Sequence, residues 1–231
     1  MNIFVFLQPQ QVMWPSGQAL VCKTSYSSSI LLVTSTQNLL CFNAIGFFIR
    51  MKPIVLVGFS GSGKSTLGKR LAACLGLTFY DLDAELEKRY SISIMAFFQK
   101  YGENAFRICE RSLFLELLGR GESLISTGGG TPCFFDTMDT IVERAFSIYI
   151  KLSPKSLCNR ILNSKRKRPL LLGKSEAELL AYIEETLFSR EKYYSRANMV
   201  LKGEDLSSKD LLAALLNEFD GAFHERQGQS Q

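Results

Sequence analysis

The chain has a single histidine, His224, and it lies in the polar tail "HERQGQSQ". That excludes a histidine-dependent catalytic triad and argues against a histidine-ligated zinc centre. The six cysteines, Cys22, Cys41, Cys74, Cys109, Cys133 and Cys158, include no C-x-x-C pair and no metal-ligand spacing. They read as free thiols of a reducing compartment. Long basic tracts and aromatic-interleaved RNA motifs are missing too, so a formal charge of +5 does not by itself indicate nucleic acid. It suits anionic small molecules equally well. With 46% hydrophobic and 21% charged residues among 231, the composition is that of a globular protein with one ordinary core.

Acidic residues are absent from residues 1–50, whose only charges are Lys23 and Arg50. Three readings of this stretch compete. An acid-poor, serine-rich segment around "KTSYSSS" fits a plastid or mitochondrial targeting peptide, although arginine is scarce. "ILLVTSTQNLLCFNAIGFFI" has the length of a membrane span, yet "TSTQN" puts five polar residues inside it. The third reading, adopted because "MKPIVLVGFSGSGKST" opens a domain with no linker, starts the working protein at Met51. The expected organisation is a leader or non-functional, disordered extension over residues 1–50, one domain over 51–220 and a polar tail over 221–231.

From Met51 strand and helix patterns alternate. "PIVLVG", "LTFYD", "SLIST", "FSIYIKL" and "NMVLK" read as strands. "KSTLGKRLAACLG" is helical, with Leu67, Leu71, Ala72 and Leu75 at helical spacing and Gly76 as its stop. "DAELEKRY", "SLFLELLGRGE", "SPKSLCNRILNS", "SEAELLAYIEETLFSREKYY" and "SSKDLLAALLNEF" are further helices. Interleaving of this kind predicts an α/β fold, a parallel sheet covered on both faces.

Between the first strand and helix stands "GFSGSGKST", a match to G-x-x-x-x-G-K-[ST] from Gly58 to Ser65. Its glycines allow backbone N–H groups of residues 61–66 (Gly61, Ser62, Gly63, Lys64, Ser65, Thr66) to turn around phosphate oxygens. The helix N-terminus adds positive potential, Lys64 reaches the terminal phosphates, and the Ser65 hydroxyl can ligate Mg²⁺.

The remaining motifs are ambiguous singly. "FYDLD" sets Asp81 and Asp83 at a strand's C-terminal end, where ligands bind in open α/β sheets. One carboxylate can hold Mg²⁺ through water and the other can accept from a hydroxyl, or Asp83 merely caps the next helix. In "GENAFRICE", Arg107 and Glu110 are spaced to pair on a helix, which also describes a solvated ion pair. "STGGGTP" ends a strand in Gly128, Gly129 and Gly130, either as a tight turn or to let a ligand approach the backbone. "NSKRKRPLLLGKS" is a basic patch for nucleic acid or a mobile lid whose arginine closes over phosphate. Arg190 is a further candidate anion ligand, with Arg196 its rival.

In this order the motifs resemble those of shikimate kinases over essentially Met51 to Phe219. "GFSGSGKST" is similar to the family's nucleotide loop, "FYDLD" to its D-x-D, "GENAFRICE" to its G-E-x-x-F-R-x-x-E, "STGGG" to its triple glycine and "RPLL" to its lid. The resemblance implies a three-layer P-loop kinase fold of the nucleoside-monophosphate-kinase type, with five parallel strands ordered 2-3-1-4-5 and a mobile lid. It implies transfer of the ATP γ-phosphate to the 3-hydroxyl of shikimate, a step towards chorismate and the aromatic amino acids. Lys64 then stabilises the γ-phosphate, Ser65 and Asp81 hold Mg²⁺, and Asp83 orients the hydroxyl and helps take its proton. Arg107, buttressed by Glu110, and Arg190 bind the carboxylate, with Gly128 to Gly130 presenting N–H groups. Arg168 of the lid neutralises phosphate charge.

Lys192 stands where the family's R-x-P-x-Y pattern around the second arginine has proline. The alternatives are another small-metabolite kinase or a non-catalytic nucleotide-binding regulator. Gluconate kinase has a similar phosphate loop but histidine-containing motifs after its D-x-D, which this chain lacks. A regulator that has lost catalysis is expected to have a damaged site, whereas Ser65, Asp81, Asp83, Arg107 and Arg168 all stand in place. The expected partners are ATP and shikimate, with no nucleic acid and no membrane. A cytoplasmic monomer is expected, or a plastid protein if residues 1–50 are a transit peptide.

Overall fold

The computed structural model describes residues 52–164 and 175–204, together with Leu20–Cys22, Leu31–Val33 and Ala214. Arg168 and the rest of the expected lid, most of the expected leader, and the closing helix apart from Ala214 lie outside the described residues. The two short N-terminal strands, Leu20–Cys22 and Leu31–Val33, pair antiparallel.

The main sheet begins with β1 (Ile54–Val57), in which every residue is buried. An apolar strand without polar alternation needs cover on both faces, which a parallel sheet between helical layers provides. Around β1 are β2 (Thr78–Asp81), β3 (Ser123–Ser126), β4 (Phe146–Lys151) and β5 (Met199–Lys202). All pairings are parallel, and the spatial order is β2-β3-β1-β4-β5. The expected 2-3-1-4-5 order is the one found. Because the order reverses at β1, the loop that follows β1 opens into a crevice at the sheet's C-terminal edge.

Period-two alternation divides the core into two halves. Ile54 and Leu56, with Leu124, Ile148 and Ile150, pack against α1 (Lys64–Leu75), α5 (Pro154–Leu162) and α6 (Glu176–Tyr194). Val55 and Val57, with Ile125 and Tyr149, pack against α2 (Leu82–Tyr90), α3 (Ile94–Leu118) and α4 (Thr137–Arg144). Each fully buried aliphatic side chain contributes about 1.5–3 kcal/mol of transfer free energy, so both layers are held firmly to the sheet. No helix among the described residues is long and apolar enough to cross a membrane.

Local signals fix the helix ends near the crevice. Asp81, the last residue of β2, caps α2 by accepting from the Ala84 N–H at 3.2 Å. The capping carboxylate of "FYDLD" is therefore Asp81, and Asp83 lies in the first turn of α2. Within α3 the helical path breaks at Gly102, whose φ of 77° and ψ of 172° end one helix and start the next. The restart places Glu103, Arg107 and Glu110 along one side of the new helix. Helix α4 has no counterpart among the sequence-based expectations. It has only eight residues, too few for a helical period to stand out, and buries Thr137, Met138 and Ile141.

Candidate active site

The loop after β1 is shaped by its glycines. Gly58, Gly61 and Gly63 have φ of 140°, 95° and 95°, in the region that side chains disfavour. A Cβ on Gly58 would also lie 2.8 Å from the Ile150 carbonyl oxygen. The loop thus passes tightly over the end of β4 and leads into the N-terminus of α1, where Lys64 is the first helical residue. Lys64 is buried, and its Nζ donates to the carbonyl oxygens of Gly58 at 2.7 Å and Phe59 at 2.8 Å. Arg160 of α5 donates from Nη1 to the Ser62 carbonyl oxygen at 3.2 Å. Its Nη2 reaches the carbonyl oxygens of Gly203 and Glu204 at 2.8 and 2.7 Å, so one guanidinium ties the loop to the chain beyond β5. Sequence reading missed this residue, because nothing near Arg160 marks it locally.

Ser65 is exposed at the mouth of the loop, with its hydroxyl 3.3 Å from that of Ser126 at the end of β3. Asp81 ends the neighbouring strand, in register with Ser126. Among the described residues no three His, Cys, Asp or Glu side chains cluster closely enough to cage a metal ion themselves. The Ser65 hydroxyl in the first turn of α1 and the Asp81 carboxylate at the end of β2 fit Mg²⁺, which keeps waters and takes phosphate oxygens as ligands in place of an all-protein cage.

The second half of the crevice is built around Arg107. Its Nη1 donates to Glu110 Oε2 at 2.8 Å, and its Nη2 and Nε donate to Glu103 Oε1 at 3.0 and 3.2 Å. Only 11% of the Arg107 side chain and 3% of that of Glu110 are exposed, so this is no solvated surface pair. The other oxygen of Glu110 accepts from Thr131 Oγ1 at 2.7 Å. Glu103 as a second partner was not anticipated, although it lies inside "GENAFRICE".

The triple glycine stands between these halves. A Cβ on Gly128 would lie 2.9 Å from Asp83 Oδ1 and 3.0 Å from Glu110 Oε1. One on Gly129 would lie 2.9 Å from the Ser60 backbone nitrogen, and one on Gly130 2.7 Å from Arg107 Nη2. Three absent side chains thus allow the Asp83 carboxylate, the nucleotide loop and the Arg107 guanidinium to converge on one backbone segment.

Arg190 of α6 joins the same region. Its Cζ is 5.8 Å from the centre of the Phe59 ring. Burial pushes the Cys133 thiol up to about 11, and the positive charges of Arg190 and Arg107 oppose that rise. Both arginines are therefore close enough to act on one thiol. Arg196 is engaged elsewhere, donating to Asp139 of α4 at 2.6 Å.

A five-stranded parallel sheet with a G-x-x-x-x-G-K-S loop after its central strand defines a P-loop kinase fold. The family model for shikimate kinase matches residues 60–220. A curated shikimate kinase of Parabacteroides distasonis is 42% identical over 156 residues, covering 68% of this chain and 90% of that protein. The crystal structure of shikimate kinase from Bacteroides thetaiotaomicron superposes with a TM-score of 0.68 at 31% identity, covering 75% of this chain and 98% of the other. Shikimate kinase from Acinetobacter baumannii, solved in complex with shikimate, gives a TM-score of 0.66 at 29% identity, with coverages of 74% and 93%. The chain belongs to the shikimate kinase family.

Proposed function

We propose that this protein transfers the γ-phosphoryl group of ATP to the 3-hydroxyl of shikimate, giving shikimate 3-phosphate and ADP. One observation carries the reading beyond family membership. The loop that would hold ATP and the buried Arg107–Glu110 pair that would hold an acceptor's carboxylate meet at the same triple glycine. A cyclic triol with one carboxylate needs a guanidinium fork and a hydroxyl acceptor, and both stand there.

In the proposed mechanism the Asp83 carboxylate accepts the hydrogen bond of the substrate hydroxyl and fixes its oxygen in line with the γ-phosphorus. As the new O–P bond forms, the bond from γ-phosphorus to the β–γ bridging oxygen breaks. ADP leaves and the hydroxyl proton passes to Asp83. Lys64 moves from the loop carbonyls to the β- and γ-phosphates, and backbone N–H groups of Gly61 to Thr66 hold the chain of phosphates. Ser65 and Asp81 would hold Mg²⁺, which when bound would neutralise charge on the phosphate oxygens. Arg107 and Arg190 clamp the carboxylate, Gly128 to Gly130 offer N–H groups, and Arg168 completes the phosphate site. Positioning and charge neutralisation suffice for such a transfer, so a histidine or cysteine nucleophile is not required.

The working unit is proposed to be the 51–220 domain, acting as a cytoplasmic monomer, with residues 1–50 dispensable. The test is ADP release with Mg²⁺ and ATP, by the full chain and by a chain beginning at Met51. Shikimate-dependent release by both is expected, with no response to gluconate. A gluconate response without a shikimate response would overturn the assignment of the acceptor.

A further inference from the structure

We infer that Phe134 is a positioning residue for substrate binding: its ring holds the plane of the Arg107 guanidinium and thereby sets the affinity for shikimate. The inference rests on Arg107 being the carboxylate ligand.

The centre of the Phe134 ring is 4.1 Å from Arg107 Cζ, whereas the rings of Phe106 and Phe98 stand off at 5.2 and 5.8 Å. At 4.1 Å, on a guanidinium that is only 11% exposed, a cation–π contact is near its strongest. The kind of contact matters as much as its strength. Glu103 and Glu110 bind guanidinium N–H groups and stop the fork turning within its own plane. They take N–H bonds on Nε, Nη1 and Nη2, three of the five, which leaves one on each Nη for a carboxylate. An aromatic face fixes the tilt of the plane and uses none of these donors. Phe134 thus supplies the restraint that another hydrogen bond could supply only by taking a donor from the substrate.

The chain around Phe134 is shaped for this role. Thr131, three residues earlier, holds the far oxygen of Glu110 at 2.7 Å. One short segment therefore restrains both the guanidinium and its carboxylate partner. The next residue, Phe135, has φ of 54°, a left-handed conformation that a bulky side chain rarely adopts. It is 58% exposed, so burial of its ring does not offset the strain. The turn sends the two phenylalanines apart, Phe134 onto Arg107 and the largely exposed Phe135 to the neighbourhood of Arg111, 5.7 Å from its ring centre. Strain held in this way at a binding loop points to function.

The test compares Phe134→Leu, Phe134→Met, Phe134→Tyr and Arg107→Lys in the full chain, measuring kcat, both KM values and thermal stability. The two aliphatic variants lack an aromatic face and should raise the shikimate KM roughly three- to thirtyfold. The KM for ATP, kcat and the melting temperature should stay near the parent values, and Phe134→Tyr should restore the shikimate KM. An unchanged shikimate KM in the folded aliphatic variants, with a raised one in Arg107→Lys, overturns the role of Phe134 alone. An unchanged shikimate KM in Arg107→Lys overturns the carboxylate reading on which it rests. A parallel loss of stability, kcat and ATP binding without rescue by tyrosine makes Phe134 a packing residue and also refutes the inference.

Discussion

Tyr194, fully buried at the end of α6, donates its hydroxyl hydrogen to the carbonyl oxygen of Gly129 in the triple-glycine loop. Arg190 lies one helical turn earlier on α6. The bond therefore couples the helix bearing one candidate carboxylate ligand to the loop that packs against the other. Tyr194→Phe keeps the ring but leaves the carbonyl without that donor, at a cost of about 1–3 kcal/mol. The expected result is a lower melting temperature together with a higher shikimate KM. A change in stability alone would detach the bond from the site.

The same phenol makes the protein sensitive to alkali. Burial raises the pKa of Tyr194 above the ordinary value of 10.0; burial, and then the hydrogen bond to Glu191, raises that of Tyr149. The folded state then retains protons that the unfolded chain loses. This contribution to stability is fully present below pH 10 and is lost as pH rises towards the folded-state pKa values. Each phenol should lower the unfolding free energy by about 1.4 kcal/mol per pH unit in that window. The Cys133 thiol, pushed from 9.0 up to about 11, acts with the same sign between those values. Denaturant unfolding from pH 8 to 11 should show the decline, and Tyr194→Phe should make it shallower.

Asp83→Asn should lower kcat by about 10²- to 10⁴-fold, since an amide is a poor proton acceptor. ATP affinity, measured by titration without turnover, should hardly change. Retained turnover would remove Asp83 from the acceptor role, leaving it as a first-turn residue of α2.

Gly128→Ala is the sharpest steric probe of the site. Its methyl group would come within 2.9 Å of Asp83 Oδ1 and Thr131 Oγ1 and 3.0 Å of Glu110 Oε1. Because two of these three groups are hydrogen-bonded to each other, they have little room to withdraw. A stability loss of about 1–3 kcal/mol is expected, with a marked fall in activity. Wild-type kinetics and stability would mean that the cluster relaxes freely.

The phosphate loop was legible because its constraint is local: φ values that favour glycine, then a lysine at a helix start, leave a fixed spacing in the sequence. The strand order was available only through resemblance, since pairing among parallel strands is decided by packing between distant segments. Local sequence does not distinguish Arg190 from Arg196 as an anion ligand. The fold pairs Arg196 with Asp139, on the short helix α4 that periodicity did not mark. The buttress of Arg107 was half legible: Glu110 three residues on was read as its partner, while Glu103, Thr131 and Phe134 were not. The latter two come from a different segment, and only the fold brings "TPCFF" over "GENAFRICE".

Lys64 carries a last consequence. With its ammonium on the carbonyls of Gly58 and Phe59, it has exchanged bulk hydration for protein oxygens before any nucleotide arrives. Dehydration of that cation is incurred once, during folding, and is not repeated at each turnover. An arriving polyphosphate has to outcompete protein contacts already made, the two carbonyl dipoles among them, a contest that favours multiply charged anions over singly charged ones.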